Sequence, residues 1–125
     1  MKDERAIAWF EIPAKDFDRA VKFYEKILKT KLECTDMGDL RMGFFPHDPE
    51  ATGGAIIAGN DNKPSANGTM IYISAEGKLK DAIARVPEAG GSIVQNIMQL
   101  PNDWGHIAVI RDTEGNKVGL HASSV

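Results

Sequence analysis

The chain has 125 residues, with 15 Lys and Arg against 18 Asp and Glu, which gives a formal net charge of −3. This length suits one compact domain or two small halves packed together, and the mildly acidic balance argues against nucleic acid as the main partner. No apolar run is long enough to cross a membrane, the charged first residues predict no signal peptide, and the single cysteine, Cys34, allows no internal disulfide. We therefore expect a cytoplasmic protein.

The first half of the chain predicts one strand, one helix and three further strands. Residues 6–12 are rich in aromatic and β-branched side chains and predict a strand, which Pro13 ends. From Asp16 to Leu28 the apolar residues recur at helical spacing, which predicts a helix lying on a sheet with Asp16 as its N-cap. Three short strands follow, separated by turn residues; we predict them at 31–35, 40–45 and 52–58.

The second half repeats this order after a polar segment without periodicity, residues 59–68, which predicts a linker. The predicted elements are a strand at 69–74, a helix from Leu79 to Val86, and strands at 92–97, 106–111 and 117–121. We thus expect a single domain, residues 1–125, made of module one at about 6–58 and module two at about 69–122.

The two halves also align weakly in sequence. Trp9–Ile12 matches Thr69–Tyr72 at an offset of 60 residues, although few letters are identical. Each half would bury too little surface to be stable alone, so we expect the halves to share a core or to obtain one from a second chain.

Several segments resemble the vicinal oxygen chelate superfamily, which contains glyoxalases, bleomycin resistance proteins and dioxygenases. The segments are the opening WFEIPAKD from Trp9, AVKFY from Ala20, AGG from Ala89 and RDTEGN from Arg111. The closing Gly119-Leu-His121 is similar to a glyoxalase-related branch of unassigned function. The resemblance implies an α+β fold in which two βαβββ modules form a partly open, eight-stranded, barrel-like sheet with a helix outside each module. It implies no single function, because the superfamily includes isomerases, dioxygenases, epimerases and metal-free binding proteins.

In the metal enzymes of this superfamily, four inward side chains, mostly His and Glu, hold a divalent ion. The resemblance places the first of these positions at Trp9, the second within 52–59, the third near Thr69 and the fourth at Gly119. None of these places offers His, Asp, Glu or Cys, and an indole nitrogen only donates hydrogen bonds. We therefore expect no metal cofactor at the usual place. The alternative is a site rebuilt around Glu11 and imidazoles such as His121.

We expect instead a hydrophobic cavity that suits an aromatic or planar ligand. The candidate ligand-binding residues are Trp9, Glu11, Met42, Phe44, Tyr72, Trp104, His106 and His121. Strand alternation puts Glu11 on the same face as Trp9, so we expect Glu11 to point inward, to lose water and to have a raised pKa. Glu11 and His121 are the candidate catalytic residues, as carriers of protons. The alternative for each of these residues is ordinary core packing or a solvated surface.

The first hypothesis is thus a glyoxalase-like protein that binds a small organic molecule without the usual metal. The alternatives are a metal-dependent lyase or isomerase of glyoxalase type, and a protein that only sequesters its ligand, like the antibiotic-resistance members. A half-open barrel leaves apolar sheet edges that a second copy can cover, so we expect a homodimer. The modules can pair within one chain or across two chains, and the sequence does not choose between these arrangements.

Overall fold

The computed structural model describes residues 6–59 and 61–125, and it shows the predicted βαβββ order twice. The elements of module one are β1 Trp9–Pro13, α1 Phe17–Leu28, β2 Glu33–Met37, β3 Leu40–Phe44 and β4 Gly53–Ala58. The elements of module two are β5 Tyr72–Ser74, α2 Leu79–Arg85, β6 Ser92–Gln99, β7 His106–Arg111 and β8 Lys117–Ala122. Between β4 and β5, the residues that the structure describes form neither helix nor strand.

Most elements differ from their predicted bounds by one to three residues; β1 begins three residues later and β6 ends two residues later than predicted. The physical reason is visible for two further strands. Strand β5 is half as long as predicted, because its pairing with β8 covers only the three residues from Tyr72 to Ser74. Strand β2 begins two residues later than predicted, because the chain first has to leave α1. The helix ends in a left-handed residue, Lys29, and the Leu32 N–H then donates a hydrogen bond to the Glu25 carboxylate at 2.9 Å. Both differences lie at element ends, where tertiary pairing decides the bounds.

The eight strands form two separate sheets of four, with the orders β1-β4-β3-β2 and β5-β8-β7-β6. In each sheet the first and last strands of a module run parallel, and the other neighbours are antiparallel. The fold is α+β with two βαβββ modules, as predicted, and the described strands close no barrel. One face of each sheet carries a helix, and the other face carries none.

The helix sides of both sheets join in one hydrophobic core. Its buried members include Ile12 and Ile56 from the first sheet, Ile110 and Leu120 from the second, and Tyr24 from α1. Helix α1 buries the apolar stripe that the sequence predicts, and the Asp16 side chain accepts a hydrogen bond from the Arg19 N–H at 3.1 Å, which confirms the N-cap.

The turn between β7 and β8 fastens module two to the start of α1 in module one. The Glu114 carboxylate accepts hydrogen bonds from the backbone N–H groups of Lys15 and Asp16 and from the Arg19 guanidinium, at 2.7–3.1 Å. Beside it, the buried Tyr24 hydroxyl donates to Asp112 at 2.7 Å. These contacts set the orientation of the two sheets, and therefore of their helix-free faces.

Candidate functional site

The helix-free face of the first sheet, which we call the first open face, contains the predicted site residues of module one. Strand register places on this face Trp9, Glu11, Glu33, Thr35, Met37, Leu40, Met42, Phe44, Gly53, Ala55 and Ile57. Met42, Ala55 and Ile57 form a small buried cluster against which Phe44 packs. The structure thus brings together four residues that the sequence singled out: Trp9, Glu11, Met42 and Phe44.

Trp9 is the most prominent aromatic side chain of this face. Its ring centroid lies 6.0 Å from that of Phe44 and 6.2 Å from that of His47, and the side chain of Trp9 remains 40% exposed. The His47 ring lies over the backbone of Gly53, where any Cβ atom would clash with it. The candidate set predicted from the sequence omits His47; the neighbouring Gly53 is a signal that could have indicated this close approach.

Glu11 lies on the first open face beside Trp9, but its predicted burial is wrong for the single chain. The Glu11 side chain is exposed, and its backbone lies opposite Ala55 in the pairing of β1 with β4. The reason is that no residue in 6–59 or 61–125 covers this side chain, so Glu11 lies in water in the single chain.

The helix-free face of the second sheet, the second open face, contains Tyr72 and His121 of the predicted residues of module two, whereas Trp104 lies in the loop between β6 and β7 and is 61% exposed. Register places on this face Tyr72, Ser74, Gln95, Met98, Ile107, Val109, Arg111, Lys117, Gly119 and His121. The Tyr72 ring lies across Gly119, which has no Cβ to obstruct it. The His121 Nε2–H donates to the Trp104 carbonyl at 2.6 Å, so the loop that contains Trp104 holds the imidazole in place.

His106 does not share this face. In β7, His106 lies on the opposite face of the sheet from Ile107. It is on the same face as Ala108 and Ile110, which belong to the core on the helix side. Its Nδ1 atom is buried without a hydrogen-bond partner among the described residues. The structure therefore separates His106 from His121, and His106 leaves the candidate set. Glu11 and His121 also lie in different sheets, and no hydrogen bond joins them.

The backbone hydrogen bonds show which residues of the two modules correspond. The Ala14 N–H donates to Ile57 at the end of β1, and the Ala75 N–H donates to His121 at the end of β5, both at 2.7 Å. Ala14 and Ala75 are equivalent, so the offset between β1 and β5 is 61 residues rather than the 60 that the sequence alignment gave.

This correspondence gives one residue of the chain for each of the superfamily's four metal positions. Trp9 corresponds to Met70, and Gly119 corresponds to Ala55, because Ile57 is the counterpart of His121. The side chains at these positions are the indole of Trp9, the methyl group of Ala55, the thioether of Met70 and the hydrogen atom of Gly119. None of them is a ligand that a hard divalent ion prefers. The residues at these four positions therefore do not fit the superfamily's metal. In the part of the chain that the structure describes, no group of three His, Cys, Asp or Glu side chains is close enough to hold a metal ion.

The two open faces carry opposite charges. Glu11 and Glu33 lie in one row across the first open face, which has no lysine or arginine. Arg111 and Lys117 are cross-strand partners on the second open face, which has no carboxylate. Each face also exposes apolar side chains. Trp9 on the first open face is 40% exposed, and Tyr72 and Met98 on the second are 49% and 45% exposed.

Comparisons with known proteins agree with this geometry. The sequence profile described as "Glyoxalase/Bleomycin resistance protein/Dioxygenase superfamily" matches residues 6–120. Among curated proteins, no significant sequence relative was found. Within the described residues, no helix has the length and apolar character needed to cross a membrane.

Several solved structures have the same fold. A glyoxalase/bleomycin resistance protein from Albidiferax ferrireducens T118 superposes with a TM-score of 0.69 at 16% identity, covering 94% of this chain and 98% of that one. TnmS3, an antibiotic binding protein from Streptomyces sp. CB03234, gives a TM-score of 0.68 at 20% identity, covering 95% and 96%.

A glyoxalase I mutant from Zea mays gives a TM-score of 0.64 at 20% identity and covers 93% of this chain. The present chain spans only 45% of the maize protein. At these identities the likeness to all three structures concerns the fold alone.

Proposed function

The chain belongs to the glyoxalase/bleomycin resistance protein/dioxygenase superfamily, and from that premise we propose that it binds a small planar organic molecule on its first open face, without the superfamily's usual divalent metal. Trp9 supplies a flat, partly exposed aromatic surface for the ligand, with Phe44 beside it. Glu11 on the same face accepts a hydrogen bond from the ligand, because an ionised carboxylate has acceptors only. The observation that supports the proposal most is that Trp9 lies where related metal enzymes have a ligand.

We further propose that two copies pair in a homodimer, with the first open face of each copy on the second open face of the other. Opposite charges on the two faces support this pairing, as do the apolar side chains that each face leaves exposed. In this arrangement Glu11 of one copy and His121 of the other line the same cavity. The Glu11 carboxylate and the His121 imidazole then transfer protons to or from the ligand.

A protein that only sequesters its ligand is the second candidate. The antibiotic binding described for TnmS3, a protein of the same fold, supports this candidate. The test that separates the two is turnover: a bound compound that is recovered unchanged after long incubation favours sequestration. Cys34 is exposed and unpaired, which supports a reducing compartment, and we propose the cytoplasm.

The two tryptophans of the chain allow a direct test of the ligand site. In Trp104→Phe, Trp9 is the only indole, and we expect 9-aminoacridine to quench its fluorescence in a saturable manner. In Trp9→Phe, we expect the affinity, followed by the fluorescence of 9-aminoacridine itself, to fall, because the indole surface is lost. Glu11→Gln should weaken 9-aminoacridine binding about ten-fold and leave uncharged acridine, which lacks the amino donor, unaffected.

Two results would overturn the proposal. One is a Trp9 signal that neither acridine changes, together with equal affinity in the wild-type protein and the Trp9→Phe variant. The other concerns the metal: elemental analysis that finds a stoichiometric divalent ion, lost in Glu11→Gln, would restore the metal-dependent lyase or isomerase.

A further inference from the structure

A further cavity lies in the seam between the two modules and reaches Gly53 of the first open face and Tyr72 and Ser74 of the second. We call it the seam groove; its volume is about 700 Å³, within the range of small-molecule pockets. Its walls are residues 45–54 and the end of α1 in module one, and residues 69–74 with Lys78 in module two. Neither Trp9 nor Glu11 lines this groove, although His47 and Gly53 beside Trp9 do, so it adjoins the site proposed above and uses different ligand-binding side chains.

The floor of the seam groove is aromatic and belongs to the core. The Phe10 ring lies over Gly54, where a Cβ atom would meet it, and its centroid is 5.7 Å from that of Phe45. Phe45 in turn packs edge-on against the fully buried Tyr24. Ile71 and Met70 add apolar surface from the opposite module. The groove therefore offers a firm apolar surface to a ligand.

The polar residues of the lining include His47 and Asp48 in module one, and in the described part of the chain Lys78 at the end of α1 is its only ammonium group. The half-buried Lys78 ammonium donates a hydrogen bond to the Leu28 carbonyl at 2.7 Å. An ammonium group has three donors, so two remain, and no carboxylate among the described residues forms an ion pair with Lys78. The hydroxyl groups of Thr30 and Ser74 line the same groove, and in the described residues neither has a hydrogen-bond partner.

We propose that the seam groove binds an amphipathic carboxylic acid, with its hydrocarbon or aryl part along Phe10 and Phe45 and its carboxylate at the Lys78 ammonium. A lysine beside a largely apolar groove favours an anion with an apolar body over a polar anion such as phosphate, since the rest of the groove would remain unfilled. A neutral amphiphile would gain the apolar contacts but not the charged hydrogen bond.

Isothermal titration of the whole chain with octanoate and with octan-1-ol tests this site. Lys78→Gln keeps a side-chain donor near Leu28 but removes the charge, and we expect it to weaken octanoate binding about ten-fold while octan-1-ol binds as before. Lys78→Arg should restore the affinity for octanoate. Lys80→Gln, which alters an exposed lysine outside the groove, is the matched control and should change neither affinity.

The unchanged affinity for octan-1-ol shows that the groove is intact in the variant. Equal losses of octanoate and octan-1-ol affinity, no loss in Lys78→Gln, or no binding of octanoate by the wild-type protein would each refute the proposal. So would octanoate binding that Trp9→Ala abolishes, because the probe would then lie on the first open face.

Discussion

At the scale of single residues, the titration of Glu114 shows how a turn in module two stabilises module one. Burial alone raises the pKa of this carboxyl, but hydrogen bonds from Arg19, the Asp16 N–H and Thr113 outweigh burial and lower the pKa to about 2. The Glu114 side chain is covered, while that of Arg19 is 49% exposed. A carboxyl whose pKa falls on folding stabilises the folded state while it is ionised.

We expect Glu114→Gln to lower the free energy of unfolding by about 1–2 kcal/mol at neutral pH, a modest value because solvent screens the exposed Arg19. The stabilisation is complete above the unfolded pKa of about 4.5 and is lost as the pH falls from there towards about 2. Urea unfolding at several pH values measures this directly. Glu88→Gln, at an exposed carboxylate, serves as the control. A difference between the wild-type protein and Glu114→Gln that stays constant down to pH 2 would contradict the argument.

At the scale of elements, α1 carries good signals at its start and a strained residue at its end. Asp16 caps the N-terminus, and Asp18 in the first turn complements the helix dipole. The C-cap is Lys29, with φ 50° and ψ 54°, a left-handed conformation that side chains with a Cβ atom adopt at a cost. Module two stabilises this helix end, because Lys78 donates a hydrogen bond to the Leu28 carbonyl and Arg85 donates one to the Ile27 carbonyl. Both carbonyls lack a partner within the helix.

We expect Lys29→Gly to raise the free energy of unfolding by about 0.5–1 kcal/mol, since glycine is the residue best suited to a left-handed helix end. The same substitution in the exposed middle of the helix, Lys22→Gly, should lower it by about 1 kcal/mol. Thermal and urea unfolding of the two variants give the comparison. If both substitutions destabilise the protein, the backbone strain assigned to Lys29 is absent in solution.

At the scale of the whole molecule, the residues that the structure describes form one shared core and leave one face of each sheet uncovered. The helix sides of both sheets join in the core, and the turn around Glu114 fixes their relative orientation. This arrangement leaves Glu11 and Glu33 on one open face and Arg111 and Lys117 on the other. Neither face is covered by the described residues, and their opposite charges are the basis of the dimer proposed above.

Exchanging the charges of the two faces tests the proposed dimer. The double variant Glu11→Lys/Glu33→Lys and the double variant Arg111→Glu/Lys117→Glu should each be monomeric, because each opposes like charges across the interface. A mixture of the two variants should form heterodimers, since every contact then joins opposite charges. Analytical ultracentrifugation at micromolar concentration measures both effects. A wild-type protein that sediments as a monomer, or a mixture that does not associate, would contradict the proposed pairing.

The sequence by itself determined the order of elements, the repeat of two modules and the family resemblance. Helical spacing in α1 and short strands between turn residues depend on neighbours within a few positions, which is why Asp16 and the buried stripe of α1 were predicted correctly. Strand alternation likewise placed Trp9 and Glu11 on one face.

Only the tertiary structure decided which sheet faces are covered and which residues meet across modules. The exposure of Glu11, the placing of His106 on the core side, the role of Glu114 and the seam groove all depend on how the two modules dock. Hydrogen bonds and packing between residues up to 103 positions apart hold the two modules together. Such contacts leave no periodic pattern in the chain, because any polar turn residue can form them and the partner is chosen by the fold.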